Sequence, residues 1–408
     1  FITFKEKHQD VTVPDDKFWE TSNYNERQES VLWTSNELQF QRGLLFIKAM
    51  ILHKLILVAN HKNIQKCLTD FKNRFSLSKT SPQKVENAWN VFHLIFPVVS
   101  TTFASFGNMY RNLPSNFIDY LFIDEAGQAL PQSAVGALQK SRHVIAVGDP
   151  LQIEPVVTID RNLIDSVRKS YNVPERLLNI SASVQSIADN ANCYGYWKGE
   201  IGKKHWIGIP LWVHRRCLNP MFTISNKIAY DEKMVLPDEI KKDEKKGKTG
   251  KVSWKNVKGK AISKQFVTEH GDETLKLIAK DWEIALQTTG GAPNVFVISP
   301  FTEVKSNISS MLKSKLPKYV NANPSEVKKW ADKSVGTVHT FQGKEADKVY
   351  FVTGTDNNQN GAINWSCQKP NLINVAVTRA KKEFYIIGDQ DRISEFNFYN
   401  TIVKEKNM

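Results

Sequence analysis

Residues 120–126 read Tyr-Leu-Phe-Ile-Asp-Glu-Ala, and residues 144–149 read Val-Ile-Ala-Val-Gly-Asp. Each is a short, almost wholly apolar run that ends on acidic residues. Such a run, too short for a helix and without polar alternation, reads as a central strand of a parallel sheet. That strand would be buried on both faces and carry a functional residue at its carboxyl end. The pattern returns at Val98–Thr102, Val295–Ser299, Val349–Thr353 and Phe384–Asp389. These runs predict an α/β protein with two parallel-sheet layers, separated near residues 175–205. Ahead of them, residues 1–40 are polar and irregular, punctuated by Phe18, Trp19, Tyr24 and Trp33. From Glu37 to Phe75, Leu44, Leu45, Ala49, Leu52 and Leu55 to Leu57 recur near the helical period, which predicts one long helix or two stacked ones.

Composition narrows the class. The 408 residues are 41% hydrophobic, enough for two domains and an inserted third at roughly 150 residues each. No apolar run approaches the ~20 residues of a membrane span, and no secretory signal opens the chain. Cys67, Cys193, Cys217 and Cys367 lie far apart with no C-x-x-C pair. That argues against a zinc module or disulfide frame and fits a reducing cytoplasm. The net charge of +13 can neutralise several phosphates, which points to a polyanionic partner. Residues 241–260 hold nine lysines against Asp243 and Glu244. They read either as a solvated hairpin tip inserted in the second layer or as a phosphate-tracking loop with Trp254 as a stacking platform.

The chemistry-bearing residues sit at the strand ends. Asp124 can hold Mg²⁺ through water, and Glu125 can orient and deprotonate an attacking water, if a nucleoside triphosphate lies above them. A solvated strand end is the plain alternative. Residues 148–155 then read Gly-Asp-Pro-Leu-Gln-Ile-Glu-Pro, where Gln152 is placed to sense a terminal phosphate.

These two segments resemble motifs II and III of superfamily 1 helicases, the group that includes the nonsense-mediated-decay helicase. The remaining motifs follow in order. Val213-His214-Arg215-Arg216-Cys217, with Pro220, Asn226 and Tyr230, is similar to motif IV. Its γ-phosphate arginine matches Arg216, with Arg215 as second choice. Residues 336–345 (Gly-Thr-Val-His-Thr-Phe-Gln-Gly-Lys-Glu) look like motif V, in which Gly343 approaches phosphate and Glu345 meets the ribose. Residues 374–381 (Asn-Val-Ala-Val-Thr-Arg-Ala-Lys) look like motif VI, which makes Arg379 an in-chain arginine finger.

The resemblance covers roughly residues 95–390 and implies two RecA-like P-loop NTPase domains with parallel sheets. The first would be incomplete at its N-terminus and the second would carry an insertion. The expected division is a helical or irregular region over 1–95, a first domain over 96–205, and a second over 206–408 with a Lys-rich insertion at about 237–268. ATP and Mg²⁺ are the implied cofactors, and a single strand of DNA or RNA is the implied partner. The strand would meet Ser100, Thr101, Thr102, Pro300, Phe301, His339 and Thr340. Trp197 and Trp365 read as core or interdomain aromatics more readily than as base platforms. The implied activity is ATP hydrolysis coupled to movement along a strand.

One element is missing from the pattern. No G-x-x-x-x-G-K-[ST] string, the loop whose amides cradle phosphates, occurs in the chain. Gly247-Lys248-Thr249 supplies only its last three residues and reads as a chance match. The chain opens on Phe1 and not Met, as expected of a sequence that starts downstream of a natural start. The loop is then expected on an upstream segment. The alternatives are a separate chain that supplies it, or its absence, which would leave a non-hydrolysing nucleic-acid-binding or assembly subunit.

Overall fold

Parallel strands need a neighbour on each side to satisfy their backbone groups and a covered surface on each face. The two halves of the chain meet that demand differently. The computed structural model describes residues 11–77, 81–199, 204–262, 264–320 and 322–406. They divide into two compact units, one of Phe1–Val147 with Ala182–Ile187, the other of Gly148–Ser181 with Ala188–Met408.

In the first unit, β1 (Ile118–Ile123) and β2 (Ser141–Ala146) pair in parallel, with Ile123 opposite Ala146. The helix Pro131–Gln139 connects them, and Pro131 in its first turn gives up an N–H that would be orphaned anyway. Leu121 and Ile123 pack with Ala126, Ala134 and Val184. The alternate residues Tyr120 and Phe122 are more than half exposed, so only one face of β1 is covered. This differs from the expectation of burial on both faces. Val98–Thr102 likewise belongs to no described strand, because no described ladder partner runs beside it. The predicted helical stretch resolves into Asn36–Ala59, His61–Lys72 and Arg74–Leu77. Ser35 caps the first by accepting from Leu38 N. None of its residues is buried. Among the described residues no single helix is long and apolar enough to cross a membrane. The unit's firmest packing is aromatic: Trp89, fully buried, stacks on Tyr110 at 4.6 Å and meets Phe71 edge-on at 4.8 Å.

The second unit holds an antiparallel pair, β3 (Gly195–Lys198) with β4 (His205–Gly208), and a larger parallel sheet. That sheet comprises β5 (Lys251–Asn256), β6 (Val295–Ser299), β7 (Val335–Thr337), β8 (Ala346–Val352) and β9 (Ala380–Gly388), in the order β5-β9-β8-β6-β7. Both faces are covered. Val349, Phe351, Phe384 and Ile386 join a core with the helices Met221–Ala229 and Asn371–Thr378. Their alternates Tyr350, Val352, Tyr385 and Ile387 join a second core with Thr268–Thr288, Thr302–Tyr319 and Pro324–Ser334. A strand segment with two apolar environments has no polar face, so Val349–Val352 of β8 and Phe384–Ile387 of β9 read as unbroken apolar runs.

The Lys-rich stretch is not a solvated hairpin tip. It forms the helix Asp238–Lys245, a turn at Gly247 with φ +84°, and then β5, which pairs with β9 from Lys251–Glu383 to Asn256–Gly388. Val252 and Trp254 point inward and are buried, while Lys251 and Lys255 alternate outward. Trp254 is therefore no base platform. It is 7% exposed, and its indole N–H donates to the Gly388 carbonyl at 3.0 Å. The open edge of β9 supplies the pairing that a lysine count conceals. Trp254→Ala is expected to cost ~3–5 kcal/mol in urea unfolding, as for a large core aromatic; an exposed tip would change by about 0.5 kcal/mol or less.

Candidate nucleotide and nucleic-acid site

The loop after β2 is held by a buried polar network inside the second unit. Asp149 accepts through Oδ1 from Leu151 N at 2.9 Å and through Oδ2 from Gln152 Nε2 at 3.0 Å. Its Oδ2 also accepts from the Tyr230 hydroxyl at 2.5 Å. Asn374 then donates to the Tyr230 oxygen at 3.0 Å and to the Leu151 carbonyl at 3.1 Å, and accepts from Ser225 Oγ at 2.7 Å. Asn371 donates to the Gln152 carbonyl. Beyond it, Lys369 pairs with both oxygens of Glu154 at 2.7 and 2.8 Å. Burial first, and Asp149 second, hold the Tyr230 phenol well above its ordinary pKa, so it remains a donor. The loop carrying Gln152 is thus strapped to two helices, Met221–Ala229 and Asn371–Thr378. Tyr230 and Asn374 lie within the quoted motifs, yet neither was singled out as a site residue from the sequence. The available signal was Asn374 itself, a polar residue in an apolar helix, which burial obliges to find partners.

Arg216 and Glu345 are brought together. Arg216 Nε lies 3.5 Å from Glu345 Oε2, and Lys381 pairs with the other carboxylate oxygen. All three side chains are about a third or more exposed, so the triad contributes little stability and its charges stay accessible. Gly343, at φ +75°, makes the left-handed turn just before Glu345. Arg215 is exposed.

Arg379 is placed differently from an exposed finger. It is fully buried, and its guanidinium donates to the carbonyls of Val375, Phe341 and Lys344 and to Thr378 Oγ1. It ties the end of one helix to the turn that precedes β8.

Asp124 and Glu125 follow β1 in the first unit. Asp124 is exposed and accepts from Glu125 N at 3.0 Å, while Glu125 sits at φ +53°, a left-handed backbone uncommon for a side-chain-bearing residue. Ala126 N donates to the Val147 carbonyl and Val147 N to the Ile123 carbonyl, so the acidic turn is hydrogen-bonded beside the last residue before Gly148. Ser100, Thr101 and Thr102 are exposed, with Thr102 capping the helix Phe103–Met109 through Ser105 N. In the second unit Pro300 and Phe301 are buried, whereas His339 and Thr340 are exposed. The Thr340 hydroxyl accepts from Thr337 N in a capping box. Trp197 and Trp365 are 59% and 53% exposed, so neither is a core residue.

Mg²⁺ commonly takes one or two carboxylates and leaves the remaining positions to phosphates and water, which suits Asp124. Among the described residues no group of three or more His, Cys, Asp or Glu could hold a metal by itself. Gly247-Lys248-Thr249 provides no phosphate cradle. It follows a helix and precedes a strand, the reverse of a phosphate loop's order, and Lys248 is paired with Asp243 at 3.3 Å.

The two α/β units, each with a parallel sheet, match AAA/RecA-like domains. Residues 57–159 and 203–391 each match a family model described as AAA domain. Over these segments the chain resembles AAA-type ATPase domains and superfamily-1-like helicases. It is 22% identical over 298 residues to an uncharacterized ATP-dependent helicase of Methanocaldococcus jannaschii, covering 70% of this chain and 38% of that protein. It is also 22% identical over 307 residues to the DNA replication ATP-dependent helicase/nuclease DNA2 of Bos taurus, covering 68% and 25%. The chain therefore spans well under half the length of these two curated relatives. Among solved structures, arterivirus nonstructural protein 10 (helicase) aligns at 14% identity with a TM-score of 0.31, over 74% of this chain and 56% of that one.

A neutral pair beside Arg216 gives this region a pH dependence. His214 Nε2 accepts from Cys217 N at 2.9 Å and lies 3.0 Å from Cys217 Sγ. Burial, then Arg216, push His214 down to about 4, and burial pushes the Cys217 thiol up to about 12, so the pair is an uncharged packing contact and not a nucleophile. Because the folded imidazole resists protonation while the unfolded one does not, its contribution is intact above pH ~6.5 and is lost as pH falls toward 4. Burial lowers His93 and His270 in the same direction. Unfolding free energy is expected to drop by about 2 kcal/mol from His214 between pH 7 and pH 5. His214→Gln should flatten that part of a urea-derived pH profile.

Proposed function

We propose that this chain is the motor part of an ATP-dependent helicase or translocase that moves along single-stranded nucleic acid. The observation that carries the reading is the strap on the 148–155 loop. Gln152 is tied through Asp149 to Tyr230 and Asn374, on the two helices that also lead to Arg216 and Arg379. Val147, the residue before that loop, accepts from Ala126 N beside the acidic turn of Asp124 and Glu125. A hydrogen-bonded link from the acidic turn to the segment that leads into a rigidly held glutamine suits coupling between hydrolysis and domain movement.

In this reading Asp124 would hold Mg²⁺ and Glu125 would take the proton of the attacking water. Bound Mg²⁺ would neutralise charge on the phosphates. Arg216, now engaged by Glu345, and Arg379, now engaged by backbone carbonyls, turn toward the terminal phosphate, and Glu345 and Gly343 serve the nucleotide's ribose and phosphates. Arg215 is the alternate to Arg216. Ser100, Thr101, Thr102, Pro300, His339 and Thr340 serve the strand. The division into residues 1–95, 96–205 and 206–408 is part of the same proposal.

On the full natural polypeptide, strand-stimulated release of phosphate from ATP is expected. Glu125→Gln should lower it by about 10²-fold or more while strand binding persists. Equal turnover in the variant would sink Glu125 as the base, and absence of turnover in the unmodified full polypeptide would leave a non-hydrolysing binding or assembly subunit. Tyr230→Phe removes the donor to Asp149 and the acceptor of one Asn374 bond while keeping the ring, so it should keep the fold and reduce the stimulation by strand about fivefold or more.

A further inference from the structure

The helix Asp238–Lys245 and the start of β5 form an anchored basic edge of the second unit. The Glu244 carboxylate accepts from Asn219 N at 3.0 Å and from its Nδ2 at 3.1 Å, which pins this helix to the segment before Met221–Ala229. Gly250 N then donates to the Asn219 carbonyl at 2.7 Å. A Cβ on Gly250 would meet Met221 at 2.6 Å and the carbonyls of Asn219 and Lys382 at 2.7 and 2.9 Å, so the chain passes flush against them. The acids of the helix are largely spent on this framework. Besides Glu244, Asp238 pairs with Lys241 at 2.9 Å and Asp243 with Lys248 at 3.3 Å, which leaves Glu239. Lys242, Lys245, Lys246 and Lys251 are exposed and form no ion pair among the described residues. Glu383, opposite Lys251 in the ladder, is engaged by Tyr385 at 2.7 Å and Lys348 at 3.5 Å. The helix dipole accounts for Lys242 and Lys245 in the last turn, but not for Lys246, Lys248 and Lys251 beyond it. The field is felt locally: a hydrogen bond from Lys241, then the charges of Lys241, Lys242 and Lys245, hold the Asp238 carboxyl below the ordinary range.

We infer that this edge binds the phosphate backbone of double-stranded nucleic acid, apart from the residues that serve the single strand. The inference takes from the proposed function only that the polyanion is a nucleic acid. The aromatics among the lysines decide its form. Single-strand sites interleave cations with open ring faces on which bases stack. Here the rings are closed, with Trp254 7% and Tyr385 8% exposed. Lysines without a stacking surface match a duplex, whose bases are turned inward and whose phosphates carry the non-specific contacts. Lys242, Lys245 and Lys246 stand three and four positions apart on one helical face, so three cations meet the same backbone together. Lys382, paired with Asp347 at 3.2 Å, continues the edge from Gly250 toward Lys381.

The test is fluorescence anisotropy of the full chain, over a range of salt, with blunt DNA and RNA duplexes of about 20 base pairs and with oligothymidylate. The unmodified protein should bind duplex, and the tighter of the two duplexes identifies the backbone. Lys242→Gln, Lys245→Gln, Lys246→Gln and Lys251→Gln together should make the slope of log affinity against log salt shallower by about 3 for duplex. Duplex affinity should fall about tenfold or more at ~150 mM salt, while the oligothymidylate slope stays as it was. Arg at the same four positions should restore duplex binding, with thermal midpoints of all three proteins compared to exclude unfolding. No duplex binding by the unmodified protein, or an unchanged duplex slope in the Gln variant, would overturn the inference and leave single-strand binding intact. An equal change for oligothymidylate would make the edge part of the single-strand path and overturn it too. Absence of binding to any nucleic acid would overturn both readings. Polyglutamate that displaces labelled duplex as well as unlabelled duplex does would assign the edge to an acidic protein and overturn the inference.

Discussion

The arrangement of the second unit depends on the pairing of β8 with β9, and above all on its first rung, where Ala346 lies opposite Ala380 and Ala346 N donates to the Arg379 carbonyl. Both alanines are completely buried. The residues immediately before that rung are Glu345 and Arg379, and Lys381 follows it. This rung sets Glu345 beside Lys381, with which it pairs, although the two lie about 35 positions apart in sequence. The Arg379 guanidinium reinforces the same junction by filling the carbonyls of Phe341 and Lys344. Slipping this ladder by one residue would send Glu345 to the opposite side and bury Lys381.

A second constraint acts on the loop after β2. Backbone and side-chain polar groups that leave water must be paired, and in residues 149–152 the pairing comes from Tyr230, Asn371 and Asn374 rather than from the sheet the loop has just left. Each of these bonds is modest alone, on the order of 1 kcal/mol. Their value lies in geometry, because a short loop with this many fixed points has one conformation. A glutamine held that way can transmit a displacement, where one on a free loop would absorb it.

The first unit stands in contrast. Its two-stranded parallel sheet leaves Tyr120 and Phe122 exposed, and the helix Asn36–Ala59 presents Leu45, Phe46, Leu52 and Leu55 outward. Apolar surface on this scale is more than a folded domain usually leaves in water. The acids at the end of β1 are nevertheless well placed locally, since Ile123, Ala126 and Ala134 anchor the turn from its covered side.

By itself the sequence determined the strands and the order of the site segments. Short apolar runs declared β1, β2, β6, β8 and β9, in β6, β8 and β9 because a strand segment covered on both faces tolerates no polar alternation, and the acids and arginines near their ends were legible from residue type. Tertiary structure alone decided the rest. β5 was hidden because its alternating Val252 and Trp254 sat among lysines, and only the vacant edge of β9 made that alternation a strand. The Val98–Thr102 run had strand composition but no ladder neighbour among the described residues, and composition cannot supply one. Arg379 carried the residue type of a finger, yet the nearest unsatisfied carbonyls claimed its donors. Trp365 looked like a core residue by type, and it stands half exposed beside a cavity formed by segments more than two hundred positions apart. In each case the missing information was the partner across space, because hydrogen-bond pairing and burial belong to pairs of residues and not to either one alone.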